Sequence, residues 1–253
     1  LKKINQILQE WPSGTVITSD WLKKKGVYKQ LANVYETSGW LERVGRGAYK
    51  RKGDEISWQG GLYALQKLQD LPVHVGGKTA LELQGYGHYI KMADREQVIL
   101  WKTPDVRLPT WFQEYDWEAN LEVRSATLFF KNDQGLSTKT LNQIDITISS
   151  AERAILEYLY DVPKQEGFDE ANYIMEGLSS LRPNTLQQLL ESCESIRVKR
   201  LFMYLAEHHN HRWFERLDSS TINFGEGKRE IIKGGKLNKK YKIVVPKLLR
   251  EDQ

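Results

Sequence analysis

The stretch ITSDWLKKKGVYKQLANVYETSGWLERVGRGAYKR, residues 17–51, decides how the amino-terminal part of the chain folds. Thr18 or Ser19 can cap a helix that opens with Asp20, Trp21 and Leu22. A side-chain oxygen there accepts from an unpaired N–H of the first turn, and the Asp20 carboxylate meets the positive helix end. Lys25-Gly26-Val27 stops that helix, because glycine enters the left-handed conformation of a tight turn without a Cβ clash. The pattern predicts another helix over residues 28–38, ended by Gly39, with Leu31, Val34 and Tyr35 as its apolar face. Its opposite face carries Lys29, Gln30, Asn33 and Thr37. WLERV (40–44) and AYKR (48–51) then flank Gly45-Arg46-Gly47, the pattern of a β-hairpin.

Upstream, Ile4, Ile7, Leu8 and Trp11 form the stripe of an amphipathic helix that Pro12-Ser13-Gly14 ends, and Thr15-Val16-Ile17 is a short extended run. Three short helices, a glycine turn between the second and third, and a hairpin make a winged helix-turn-helix. In such a unit the third helix fits the DNA major groove. Gln30 and Asn33 are three residues apart and can pair bidentately with adenine, while Lys29 and Thr37 suit phosphates. The wing offers Arg46 at its tip, with Arg43, Lys50 and Arg51 on its arms. Arg46 suits a narrow minor groove, where the negative potential is strongest. Polar helix faces are usually just solvated, and some winged helices bind proteins. Charge argues for DNA: residues 1–53 hold eleven Lys and Arg against four Asp and Glu, a net +7. Tyr28 and Tyr49 read as packing residues.

Beyond the wing, a helix over 56–71 is expected to link two domains. Strands are expected over 73–75, 97–102, 121–130 and 144–149, with helices over 79–84, 150–160, 169–181, 184–193 and 195–217. Basic β-segments close the chain near 228–232 and 242–245. The expectation is an α+β protein: a DNA-binding domain with its linking helix over 1–71, then a larger mixed α/β domain over 72–253. Residues 54–227 carry a net −9 and residues 228–253 a net +6, so the basic ends flank an acidic body.

At 253 residues, 40% hydrophobic and 28% charged, the composition is that of a globular chain and not a disordered one. No apolar run approaches the roughly 20 residues that span a bilayer, and the amphipathic start lacks a signal-peptide core. Cys193 is the sole cysteine, which excludes an internal disulfide or a cysteine-based zinc site. A cytoplasmic location is the expectation.

Several fragments imitate catalytic chemistry. Gly77-Lys78-Thr79 resembles the end of a phosphate loop, but Pro72 stands where the first glycine is required. His208 and His211 share a helical face without a suitably spaced acid or cysteine, and read as packing or surface histidines. Asp116 and Glu122, with Arg124 in place of a lysine, are the nearest approach to a nuclease carboxylate set, and read as solvated strand residues. No nucleophile elbow or thiol–histidine pair is present. The expectation is therefore no catalytic residues, no metal and no cofactor. A winged-helix protein with a carboxy-terminal nuclease domain is the alternative.

The arrangement over 17–51, SGWLERVGRGAY (38–49), VGGKTALELQG (75–85) and ITISSAERAILEYL (146–159) together resemble the AbiEi antitoxins of bacterial abortive-infection systems. The resemblance implies a two-domain member of a type IV toxin–antitoxin pair. Its first domain would repress its own operon by binding promoter inverted repeats. Its second would counteract a nucleotidyltransferase toxin without a stable complex between the two proteins.

Overall fold

The computed structural model describes residues 2–87, 94–129 and 133–246. In chain order, the first elements are α1 (Lys2–Glu10), β1 (Ile17–Thr18), α2 (Ser19–Lys24), α3 (Lys29–Thr37), β2 (Leu41–Gly45) and β3 (Ala48–Arg51). Next come α4 (Trp58–Tyr63) with a π-helical turn (Ala64–Leu68), β4 (Val73–Val75), α5 (Gly77–Leu83), β5 (Glu96–Lys102), α6 (Thr110–Glu114), β6 (Ala119–Ser125), β7 (Leu136–Leu141) and β8 (Ile144–Ser149). The rest is α7 (Ala151–Asp161), α8 (Phe168–Gly177), α9 (Pro183–Ser192), α10 (Ile196–His208), a 3-10 turn (Phe214–Arg216), β9 (Arg229–Glu230), β10 (Lys236–Asn238) and β11 (Ile243–Val245). The protein is α+β. Two compact units divide it: Leu1–His74, Met92–Ala126 and Thr138–Ile148 form the first, and Val75–Lys91, Thr127–Ser137 and Ser149–Gln253 the second.

The first unit opens with the winged helix. Thr18 Oγ1 accepts from the Trp21 N–H at 3.3 Å, the cap that its sequence position suggests. Gly26 (φ 70°) and Gly39 (φ 75°) are left-handed where α2 and α3 end. At each, the next residue reaches back into the helix: Val27 N–H donates to Leu22 O and Trp40 N–H to Tyr35 O, both at 2.8 Å. The wing is antiparallel, with Arg43 opposite Tyr49 and an irregularity between Arg43 and Gly45. β1 adds to β3, giving the order β1-β3-β2. Ile4 and Ile7 of α1 and Trp11 just after it share one core with Leu22, Val27, Ala32, Tyr35 and Leu41.

One expectation about α3 is corrected. Ala32 and Tyr35 are its buried residues, Leu31 is half-buried, and Val34 is 53% exposed. With Ala32 and Tyr35 turned to the core, Val34 falls on the outer side, one helical turn after Gln30.

The same unit holds a five-stranded sheet in the order β6-β5-β4-β8-β7, with β5 and β6 parallel. Gln66 serves as a side-chain rung on it: Nε2 donates to Val73 O and Thr147 O, and Oε1 accepts from Thr147 N–H, all within 3.0 Å. α4 and the π-helical turn pack within the unit, burying Trp58, Leu62, Ala64 and Leu65. β6 ends at Ser125, short of the strand expected over 121–130, and residue 130 lies outside the described residues. α6 and β7 were not expected. β7 joins β8 through Asn142 and Gln143, both left-handed (φ 49° and 65°), the backbone of a two-residue hairpin turn.

The second unit is built on α7, of whose eleven residues only Tyr160 is exposed. Glu157 is fully buried yet satisfied: it accepts from Arg153 Nε (2.7 Å), Ser149 Oγ (2.7 Å) and the Gly77 N–H (3.0 Å). α10 stops at His208, well before residue 217, and Asn210 turns left-handed (φ 50°). Arg200 of α10, 2% exposed, donates to the carbonyls of Phe224, Gly225, Gly227 and Lys242, tying the carboxy-terminal segment down. That segment pairs as β10-β11-β9, and its residues 247–250 lie outside the described ones.

Glu152 of α7 illustrates how such charges stabilise this unit. Burial opposes its ionisation, but the Arg182 guanidinium (3.0 and 2.8 Å) and backbone N–H (2.8 Å) outweigh that and hold its carboxyl at about 2. The folded value lies below the unfolded one, so the contribution is complete above the unfolded pKa of about 4.3 and fades as pH falls toward 2. The Arg182 side chain is 64% exposed, so screening limits the gain to roughly 1–3 kcal/mol. Urea unfolding should show Glu152→Gln less stable than wild type by that margin at pH 6, with the gap closing by pH 2. A gap that stays constant across that range would refute the assignment.

Candidate nucleic-acid interface

Between α2, the start of α3 and the wing lies an open groove of about 650 Å³. It brings together Lys29, Gln30, Asn33, Arg43 and Arg46 of the residues expected from sequence, and adds Lys23 and Tyr28. Thr37, Lys50 and Arg51 are not part of it. The wing tip is fixed at the groove's edge by the Ser19 N–H, which donates to Gly47 O at 2.8 Å.

Lys29, Gln30, Asn33 and Arg46 are all exposed. Arg46 makes no ion pair with any described residue. Arg43 is committed to a bidentate pair with Glu36 of α3 (3.1 and 2.8 Å) and lies over the Tyr49 ring at 5.5 Å. The hydrogen bonds of that pair lower the Glu36 pKa and raise that of Arg43, and they tie the wing to α3. Tyr49 is buried, whereas Tyr28 is 61% exposed at the groove, contrary to its reading as a packing residue.

The other three residues are used locally. Thr37 Oγ1 donates back to Asn33 O or Val34 O at 3.1 Å, although its side chain stays exposed. Lys50 lies 3.3 Å from Glu42 and donates to Asp54 O. Arg51 turns inward, donating to the carbonyls of Leu8 and Trp11 beneath the end of α1 while stacking on Trp11 at 5.3 Å. A charge count cannot distinguish an arginine that caps carbonyls from one that meets a phosphate. Lys23 was not singled out from the sequence and Tyr28 was read as a packing residue; α2 itself carries the first to the groove, and the turn after α2 the second.

Residues of the fragments that imitate catalysis have partners within the chain. Lys78, on α5, pairs with Glu170 and lies 3.8 Å from Glu166. His211 Nε2 lies 2.7 Å from Met175 O with its ring stacked on Trp213, and His209 Nε2 is 2.8 Å from Asn172 Oδ1. Asp116 pairs with Arg95, and Glu122 with Arg124. Among the described residues, no three His, Cys, Asp or Glu are grouped to hold a metal ion, and no helix is long and apolar enough to cross a membrane.

Fold and groove together define a winged-helix protein with an α+β body. The chain belongs to the AbiEi antitoxin family: residues 1–92 match its "Transcriptional regulator, AbiEi antitoxin N-terminal domain" and residues 95–246 its "Transcriptional regulator, AbiEi antitoxin, Type IV TA system". The crystal structure of the RV2827C protein from Mycobacterium tuberculosis is similar in fold, with a TM-score of 0.60 and 14% identity, over 95% of this chain and 89% of that one. No curated protein matches the sequence.

The inward path of Arg51 has a measurable consequence. Arg51→Ala leaves the Leu8 and Trp11 carbonyls without their donor, and should cost about 1–3 kcal/mol of stability in urea unfolding. Arg46→Ala should leave the unfolding midpoint unchanged. Equal midpoints for both variants would show that Arg51 has no packing role.

Proposed function

We propose that this protein represses its own operon by seating α3 in the major groove of promoter DNA, and that it counteracts a nucleotidyltransferase toxin without holding it in a stable complex. One observation carries the DNA reading: Gln30 and Asn33, two amides suited to base edges, share an exposed groove with Lys29, Arg43 and Arg46. In this reading Gln30 and Asn33 read adenines, Lys29 and Thr37 meet phosphates, and Arg46 reaches the adjacent minor groove. Arg43 shares its charge between Glu36 and the backbone, Lys50 stays at the outer flank, and Arg51 supports the wing from within. Inverted repeats in the promoter would each receive one such unit.

Family membership supports the antitoxin half, and the pairing of Asp116 and Glu122 with arginines favours it over a nuclease. The proposed role uses no catalytic residue and no cofactor, and its site of action is the cytoplasm. Were a nucleotidyltransferase gene found beside this one, co-expression of the two should restore growth, and purification of either protein should not retain the other.

Gel shifts with DNA from upstream of the gene test the interface. Gln30→Ala and Asn33→Ala should each cost roughly 1–3 kcal/mol on the specific site with little change on unrelated duplex. Wild-type affinity for that site in both variants would remove α3 as the reading element. Arg46→Ala should instead weaken binding to every duplex and reduce the log–log salt slope by roughly 0.9. An unchanged slope would mean that the wing tip faces away from DNA.

A further inference from the structure

Val34 lies outside the core cluster of the winged helix. It sits in the middle of α3 with 53% of its surface exposed, while Ala32 and Tyr35 supply the buried face. Valine is also a poorer helix former than the straight-chain residues that usually occupy a wet position, because its branched Cβ restricts χ1. At about 100° per residue, Gln30, Asn33, Val34 and Thr37 fall within one arc of roughly 100°. All four are exposed. The proposed reading face is therefore three polar side chains with one apolar one at its edge, next to Gln30.

Base edges offer such a side chain a single apolar partner in the major groove, the C5-methyl of thymine. The two amides on the same face match the N6 and N7 atoms of adenine. Both kinds of contact select A·T pairs. Gln30 and Val34 lie one turn apart, about 5–6 Å between Cβ atoms, and base pairs are stacked at 3.4 Å. The two side chains can thus address neighbouring pairs from one helix position. We propose that Val34 is a specificity residue that packs on a thymine methyl beside the A·T pair read by Gln30 or Asn33. The proposal rests on the DNA reading given above.

Deoxyuridine tests this, since it removes the methyl and keeps every hydrogen-bonding group. Footprinting on upstream DNA first locates the bound half-site, and each of its thymines is then replaced singly by deoxyuridine. One replacement should weaken wild-type binding by roughly four-fold, the worth of one buried methyl. Val34→Ala should weaken binding to the unmodified site by a similar factor and lose all response to that replacement. Val34→Thr, which keeps one methyl in the same branched shape, should retain part of the response. Unchanged melting temperatures for the variants would show that the losses are not failures to fold.

A wild-type protein that binds upstream DNA but ignores every replacement overturns the proposal while leaving the DNA reading intact. Equal sensitivity in wild type and Val34→Ala also overturns it. Light scattering in which Val34→Ala converts a dimer to a monomer, with deoxyuridine sensitivity unchanged, would assign the valine to a contact with a second copy instead. Absence of any binding to upstream DNA would refute the DNA reading itself.

Discussion

Everything about the candidate interface depends on which face of α3 is buried. Ala32 and Tyr35 enter the core with Leu22, Val27 and Leu41, and a nine-residue helix has room for only one such stripe. Once that stripe is inside, Gln30, Asn33, Val34 and Thr37 must face outward, whatever each would prefer alone. The glycine turns on either side then set where the helix begins and ends. The Arg43–Glu36 pair and the Ser19–Gly47 hydrogen bond fix the wing against it. The groove is thus a by-product of core packing: Leu22, Val27, Ala32 and Tyr49, which line it, belong to the core beneath it.

The second unit is held differently. Its central helix carries Glu152, Arg153 and Glu157 at nearly buried positions, and each has partners in hydrogen-bonding geometry. Buried ions of this kind add little net stability over apolar residues, but removing one partner leaves an uncompensated buried charge and is strongly destabilising. Arg200 acts in the same way on the carboxy-terminal segment, using carbonyls where a carboxylate would be usual. Desolvation accordingly lowers its pKa from the ordinary arginine value.

Features governed by local sterics were legible in the sequence. The turns at Gly26 and Gly39 and the cap at Thr18 each follow from one residue and its immediate neighbours. The split between Ala32 and Val34 was not legible, because alanine is only weakly apolar and the choice between two adjacent stripes is made by packing. Nor was β7, whose LSTKTL is polar on both faces and occupies a sheet edge, where water replaces one set of partners. The inward path of Arg51 was hidden for a related reason: its charge was visible, but the carbonyls of Leu8 and Trp11 that it meets were not. A compact unit assembled from three separate stretches is equally hidden from a reading that proceeds along the chain.

The fragment Gly77-Lys78-Thr79 shows what a protein can do with chemistry that elsewhere receives a phosphate. The N–H at the start of α5 meets an anion here, but the anion is the chain's own Glu157, and the lysine that follows meets Glu170. In the language of ligand recognition, the chain is its own occupant. A carboxylate held by α7 is present at an effective concentration that no free anion in the cell approaches, since no translational freedom is lost in keeping it there. The same residues that would open a helix end to nucleotides therefore close it, and what reads in one dimension as a binding motif is, in three, a seam joining α5 to α7.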